Sequence, residues 1–348
     1  MLPVQNRDPI GLYRHEFPTP RPMTEASFQS LILAFDPRGV ATLTLAREDA
    51  LNAFDAAMVD ELMWAFAVLS GDPRVRVIVL EARGRAFSAG VDLKWMRETN
   101  DGSADHKLAD ARRMASMMQT IHECPKPVIA RVQGAAYGGG VGLCCVCDVV
   151  LAAPQARFSI GSARLGVVPA VIAPYLLNAI GKRETQRLAL TGETIGAARA
   201  AELHLVSEVV ADEDMDSAVE RLVSMLLANG PEAMEETKAL FRQLTVGPVD
   251  AETRELTAQT MARFDSSAEA REGLDAFLEK RPAVFSTKEV TYSRRPDDDD
   301  SAQEQPVRHV KPEYLESGFD FDAIPDAELD SGPDTGPDTE PNPEAHAA

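Results

Sequence analysis

Gly138, Gly139 and Gly140 close a β-like run, Val128 to Val132, and open an apolar helical stretch, Val141 to Val146. Glycine lets a backbone turn sharply and approach a ligand closely, and the helix that follows presents free N–H groups carrying partial positive charge. A second turn runs from Gly84 to Leu93, after a strand ending at Glu81, and contains the small residues Ser88, Ala89 and Gly90. Two such turns on strands of one sheet can aim two N–H groups at one oxygen. That is the geometry of an oxyanion hole, which stabilises developing charge by a few kcal/mol per donor. The alternative is a pair of tight turns packed on the core.

The elements that must position these turns are legible from periodicity. Leu31–Phe35 and Val40–Ala46, separated by Asp36-Pro37-Arg38-Gly39, predict a β-hairpin. Asp55 is placed to cap a helix with apolar residues Val59, Leu62, Met63, Phe66 and Leu69, ending at Gly71. Strands are expected at Val75–Glu81, Val128–Val132 and Asp148–Ala152, with a helix through Cys147 between the last two. Strand and helix alternate, which predicts an α/β fold with a mostly buried sheet. From Arg183 onward the pattern is helical: Glu184–Leu190, Ala197–Leu203, Met215–Leu227, Ala233–Leu244, Asp250–Ser266 and Ser267–Lys280.

Composition sets the outer limits. The 348 residues carry a formal net charge of −20, but residues 286–348 hold 5 Lys/Arg against 17 Asp/Glu, leaving only −8 for the other 285. An acidic body without a basic stripe excludes nucleic acid and anionic membranes as expected partners. No apolar run approaches the roughly 20 residues that span a bilayer, and the start lacks the plan of a signal peptide, so the expected location is cytoplasmic. Cys144, Cys145 and Cys147 crowd one helical stretch and are expected to be buried thiols, with no metal site, because nothing elsewhere completes a ligand set. Residues 1–27, with five prolines, read as a flexible arm, and residues 286–348, with Asp297–Asp300 and a repeated Gly-Pro-Asp-Thr, as a disordered acidic tail. Within the tail, Tyr314, Leu315, Phe319, Phe321, Ile324 and Leu329 have the pattern of a segment that docks on a protein partner, or else brush the chain's own surface or stay solvated.

Five segments carry a resemblance: Arg47–Phe54 (REDALNAF), Ala86–Leu93 (AFSAGVDL), Gln133–Asp148 (QGAAYGGGVGLCCVCD), Phe158–Pro169 (FSIGSARLGVVP) and Glu269–Phe285 (EAREGLDAFLEKRPAVF). Together they resemble the crotonase, or enoyl-CoA hydratase/isomerase, superfamily. The resemblance implies a ββα-spiral core over 28–225 and a helical trimerisation region over 226–285, assembled as a homotrimer or a dimer of trimers. It implies an acyl-CoA thioester as substrate, with CoA as its carrier part and no permanently bound cofactor. By position in the motifs, the thioester oxygen falls to the N–H groups of Val91 and Gly139. The CoA moiety falls to Ala50, Leu51, Ala89 and Leu93, joined by Phe264, Phe277 and Lys280 of the same or a neighbouring subunit, with a solvated surface charge as the alternative for Lys280.

The chain departs from that pattern at two positions. The hydratases it resembles use two glutamates for proton transfer, and Gly142 and Ser162 stand in their places. Neither residue is a general base near neutral pH, and the loss of such a group costs about 100- to 10,000-fold. Tyr137 either packs or supplies an acid; Ser162 can hold a water; Arg164 either neutralises a substrate carboxylate or forms a structural ion pair. His106 and His122 are further titratable groups, and Asp92 is placed to brace the turn that presents Val91. The runs AYGGGVGL and RLGVVPAVIAPYLLNAIGKR resemble the methylglutaconyl-CoA and isohexenylglutaconyl-CoA hydratases. The expectation is an acyl-CoA-binding enzyme most like an enoyl-CoA hydratase. A decarboxylase or double-bond isomerase is the enzymatic alternative. A non-catalytic acyl-CoA-binding or scaffold protein acting through its tail is the other.

Overall fold

A computed structural model of the chain describes residues 28–244 and 247–286. The arm of residues 1–27 and the tail beyond residue 286, including its aromatic stretch, lie outside the described residues.

The chain runs β1 (Leu31–Phe35), β2 (Val40–Leu45), α1 (Ala56–Gly71), β3 (Val77–Ala82), β4 (Ala86–Ser88), α2 (Leu93–Asp101), α3 (Ala104–His122), β5 (Val128–Val132), β6 (Ala135–Tyr137) and α4 (Gly139–Val146). It continues through β7 (Val149–Ala152), β8 (Arg157–Ser159), α5 (Ala173–Thr191), β9 (Thr194–Gly196), α6 (Ala197–Glu202), β10 (Glu208–Val209), α7 (Met215–Leu227), α8 (Pro231–Gln243), α9 (Ala251–Asp265) and α10 (Ala268–Leu278).

β1 and β2 form the expected antiparallel hairpin, and β2 leads into a six-stranded sheet ordered β1-β2-β3-β5-β7-β10. From β2 onward the pairings are parallel. Parallel strands need cover on both faces, and β3 (VIVLEA) accordingly reads as a nearly unbroken apolar run. Helix α1 starts where Asp55 accepts a hydrogen bond from the Met58 N–H at 2.8 Å, and its apolar stripe is buried in the main core.

A second, four-stranded sheet, β4-β6-β8-β9, was not expected from the sequence. Its strands are three residues long, too short for alternation to register. It completes the repeating unit: β3-β4, β5-β6 and β7-β8 each step from the large sheet to the small one before a helical segment. The helix expected at Glu184–Leu190 is present and longer than expected. Helix α5 begins at Ala173, and Gly181 (φ +73°) breaks its regularity midway, which hid the N-terminal half from periodicity. Helix α7 continues two residues past residue 225, the expected end of the core.

Candidate active site

Strands β4, β6 and β8 are parallel, with Ser88 opposite Ala136 and Tyr137 opposite Ser159. Parallel pairing puts their C-terminal ends on one edge, so the segments that leave them, toward Val91, Gly139 and Ser162, start side by side. This topology, rather than any single motif, assembles the site.

The first turn is held on both sides. The Phe54 N–H donates to Gly90 O at 2.6 Å and the Asp92 N–H to Phe54 O at 2.8 Å, bridging residue 54 to residue 91. That ladder uses the groups flanking Val91 and leaves its own N–H outside. Gly90 has φ +84°, and a Cβ there would stand 2.6 Å from Tyr137 O and 2.9 Å from Gly139 N. Only glycine fits, and the same numbers show the two turns in direct contact. Gly138, at φ +49°, turns the chain into α4 and donates to Ser159 O at 2.9 Å. Among the described residues no protein acceptor takes the N–H of Val91 or of Gly139. Two adjacent donors, one at the head of a helix, can receive a single oxygen that is or becomes negative.

A buried polar brace beneath the first turn was missed by sequence reasoning, although Asn52 and Ser88 both stand inside the quoted motifs. Both are fully buried. The Ser88 hydroxyl donates to Asn52 O at 2.8 Å and accepts from the Gly90 N–H at 3.1 Å. The Asn52 amide donates to Arg83 O and Ala86 O, each at 2.9 Å, and its carbonyl accepts from the Arg47 N–H. Asp92 braces the turn from the other side: it accepts from the Lys94 N–H at the start of α2 and pairs with Arg47 at 3.2 Å, which also reaches Asp55 at 3.0 Å and Ala53 O.

The remaining expected site residues are distributed as follows. Gly142 lies one turn into α4 and is buried, while Ser162 is half-buried in a 3-10 turn, Gly161–Leu165, with Tyr137 at the end of β6. Arg164 is exposed, and its side chain lies against Gly192 at the C-terminal end of α5. Among the described residues it forms no ion pair, so the structural ion pair considered for it is not found within them. Leu51, in the left-handed region at φ 51°, accepts from the Ala89 N–H at 2.9 Å, while Ala50 precedes it and Leu93, half exposed, opens α2. Phe264, Phe277 and Lys280 lie in or just after α9 and α10; Phe277 is 80% exposed, and no hydrogen bond joins the three to the 50–93 segments among the described residues.

The two histidines are engaged elsewhere. His106 faces Asp110 at 3.5 Å. His122 packs edge-on against Tyr175, and burial, with Arg242 and Lys238 nearby, lowers its pKa and favours the neutral imidazole. The four cysteines are free thiols; Cys144 is buried as expected, whereas Cys145 and Cys147 are only partly buried, and among the described residues no group of three or more His, Cys, Asp or Glu side chains could hold a metal ion. No helix among those residues is long and apolar enough to cross a membrane.

Fold and site together define a two-sheet α/β spiral with paired glycine turns at one edge, and comparison with known proteins agrees. The family model for enoyl-CoA hydratase/isomerase matches residues 36–288. A 1,2-epoxyphenylacetyl-CoA isomerase from Escherichia coli is 30% identical over 259 residues, covering 74% of this chain and 98% of its own. Among solved structures, an enoyl-CoA hydratase from Shewanella pealeana superposes with a TM-score of 0.71 at 37% identity, covering 74% of this chain and 96% of the other. Pseudomonas aeruginosa AtuE gives a TM-score of 0.71 at 33% identity, covering 74% and 100%. The chain belongs to the enoyl-CoA hydratase/isomerase family of the crotonase superfamily.

Proposed function

We propose that the protein binds an acyl-CoA thioester with its carbonyl oxygen between the N–H groups of Val91 and Gly139, and catalyses a reaction that passes through the enolate. The observation that carries this is the contact of the two glycine turns, each with an N–H that no protein acceptor takes among the described residues. Charge moving onto the thioester oxygen meets two fixed donors and the positive end of α4, with no reorganisation needed as it develops. The adenine end then lies against Ala50, Leu51, Ala89 and Leu93. Phe264, Phe277 and Lys280 reach the CoA moiety from a neighbouring subunit. Exposed Phe241, Met261 and Phe277 on the C-terminal helices support assembly as a trimer or a dimer of trimers. Four free thiols suit a reducing, cytoplasmic setting.

Hydration places a hydroxyl on Cβ and a proton on Cα, and needs a base for the water and an acid for the carbon. Gly142 and Ser162 supply neither. Reactions with smaller demands fit these side chains better. In decarboxylation the electron pair of the breaking C–C bond enters the enolate directly and no base is required. In double-bond isomerisation one group carries a proton from Cγ to Cα. Arg164, if it serves a substrate, suits a distal carboxylate of the glutaconyl type. Incubation with straight, branched and dicarboxylic enoyl-CoAs, followed by mass, tests the proposal. A loss of about 44 mass units marks decarboxylation and a gain of about 18 marks hydration; an unchanged mass with a moved double bond marks isomerisation. No turnover and no acyl-CoA binding would contradict it. Ser162→Glu complements the panel: a steep rise in hydration supports a site lacking only its base.

A further inference from the structure

Gly142 is three residues after Gly139 in α4 and therefore on the same helix face, about 5 Å away. A Cβ built at Gly142 would collide with Ile172 Cγ2, and would lie 3.1 Å from Met118 Cε and 3.2 Å from Ile172 Cβ. The volume a side chain at 142 would claim is thus filled from across the fold, by Ile172 at the head of α5. Ile172 is 5% exposed and Met118 is fully buried. The backbone around Ile172 is tied down: the Ala173 N–H donates to Pro169 O at 2.9 Å and the Leu176 N–H to Ile172 O at 3.0 Å. A β-branched side chain in such packing has little rotamer freedom. Position 142 has therefore not simply lost a carboxylate and left a gap, because an aliphatic wall stands there.

We infer that Ile172, backed by Met118, is the specificity-determining residue of the acyl site: it faces the Cα–Cβ segment of the acyl group and admits chains that are narrow at Cβ. The inference rests on the acyl-CoA reading above. A carbonyl held by the Val91 and Gly139 N–H groups puts its Cβ only two bonds away, toward the next turn of α4. The occupant of that space sets how wide the Cβ end can be. A single methyl in an apolar pocket changes discrimination by about 10- to 200-fold.

Calorimetric titration of the full chain with CoA, butanoyl-CoA and 3,3-dimethylbutanoyl-CoA tests this without relying on turnover. The wild type is expected to bind butanoyl-CoA at least about 10-fold more tightly than the dimethyl analogue, and Ile172→Ala to reduce that ratio to within about 2-fold, with CoA affinity unchanged. Ile172→Leu removes Cγ2 while conserving volume; it serves if the alanine variant does not fold, and should narrow the ratio in the same direction. Equal ratios in wild type and variants overturn the inference and leave the acyl-CoA reading standing. A wild type that binds neither ester better than CoA overturns both. A thermal double-mutant cycle provides a readout without ligand: Gly142→Ala should lower the melting point in the wild type and lower it much less in Ile172→Ala. Additive effects would contradict the packing on which the inference depends.

Discussion

Ser88→Ala removes one oxygen atom and breaks two buried hydrogen bonds, the 2.8 Å donation to Asn52 O and the 3.1 Å acceptance from the Gly90 N–H. Both Ser88 and Asn52 are fully buried. The variant leaves one donor and one acceptor in the core without partners, at about 1–3 kcal/mol each, so a loss of about 2–6 kcal/mol is expected. For a body of this size, at about 2–4 °C per kcal/mol, that lowers the melting point by about 4–24 °C. The Phe54 and Asp92 backbone bonds to the turn survive, so the chain still folds, but Gly90 loses its anchor and the neighbouring Val91 N–H is no longer held in one direction. Removing an oxyanion donor outright costs about 100- to 1,000-fold in kcat, and a loosened one should cost about 10- to 100-fold, with KM changed less than about 3-fold. Circular dichroism melts and steady-state turnover of an active acyl-CoA read the two effects. A variant that melts within about 1 °C of wild type with unchanged kcat would refute the brace.

Arg47→Met removes a guanidinium shared by Asp55, Asp92 and Ala53 O, and should cost about 1.5–3 kcal/mol by urea denaturation; an unchanged midpoint would show that the capping residues of α1 and α2 need no common anchor. Arg38 holds Asp36 at 2.7 Å and Glu220 at 2.5 Å and keeps both carboxyls below their usual range. Their folded pKa values lie below the unfolded ones, so this stability is fully present at neutral pH and is lost as pH falls through the lowered values. Arg38→Met should therefore lower the melting point at pH 7, and the difference from wild type should shrink below about pH 4; a gap independent of pH would contradict the linkage. Burial pushes the thiols of Cys124, Cys144 and Cys147 up and that of Cys145 to about 12. Cys124 and Cys144, the two buried thiols, should react with an aromatic disulfide reagent at pH 8 at least about 100-fold more slowly in the native state than in guanidinium, and labelling of either within the mixing time would show an open site.

Much of the scaffold was legible because it rests on local rules. The β1–β2 hairpin, the Asp55 cap and the amphipathic α7 follow from residues close in sequence. The two glycine turns were legible for the same reason. What joins them was not, since the pairing of three-residue strands β4, β6 and β8 leaves no periodic trace. The side chain that fills the space at Gly142 comes from residue 172, and no spacing rule connects positions thirty apart through the packing of α3, α4 and α5. The sequence shows only that residue 142 is a glycine; the packing shows that Ile172 fills the space beside it.

Infrared difference spectroscopy of an acyl-CoA labelled with 13C at the thioester carbonyl, bound to the full chain, tests the paired-donor site most directly. Two N–H groups converging on the oxygen should shift the carbonyl stretch of the bound ester to lower frequency than in water, and Val91→Pro, which deletes one donor, should remove most of that shift while the ester still binds. A bound carbonyl at its aqueous frequency, or a shift untouched by Val91→Pro, would contradict the placement of the thioester oxygen between Val91 and Gly139.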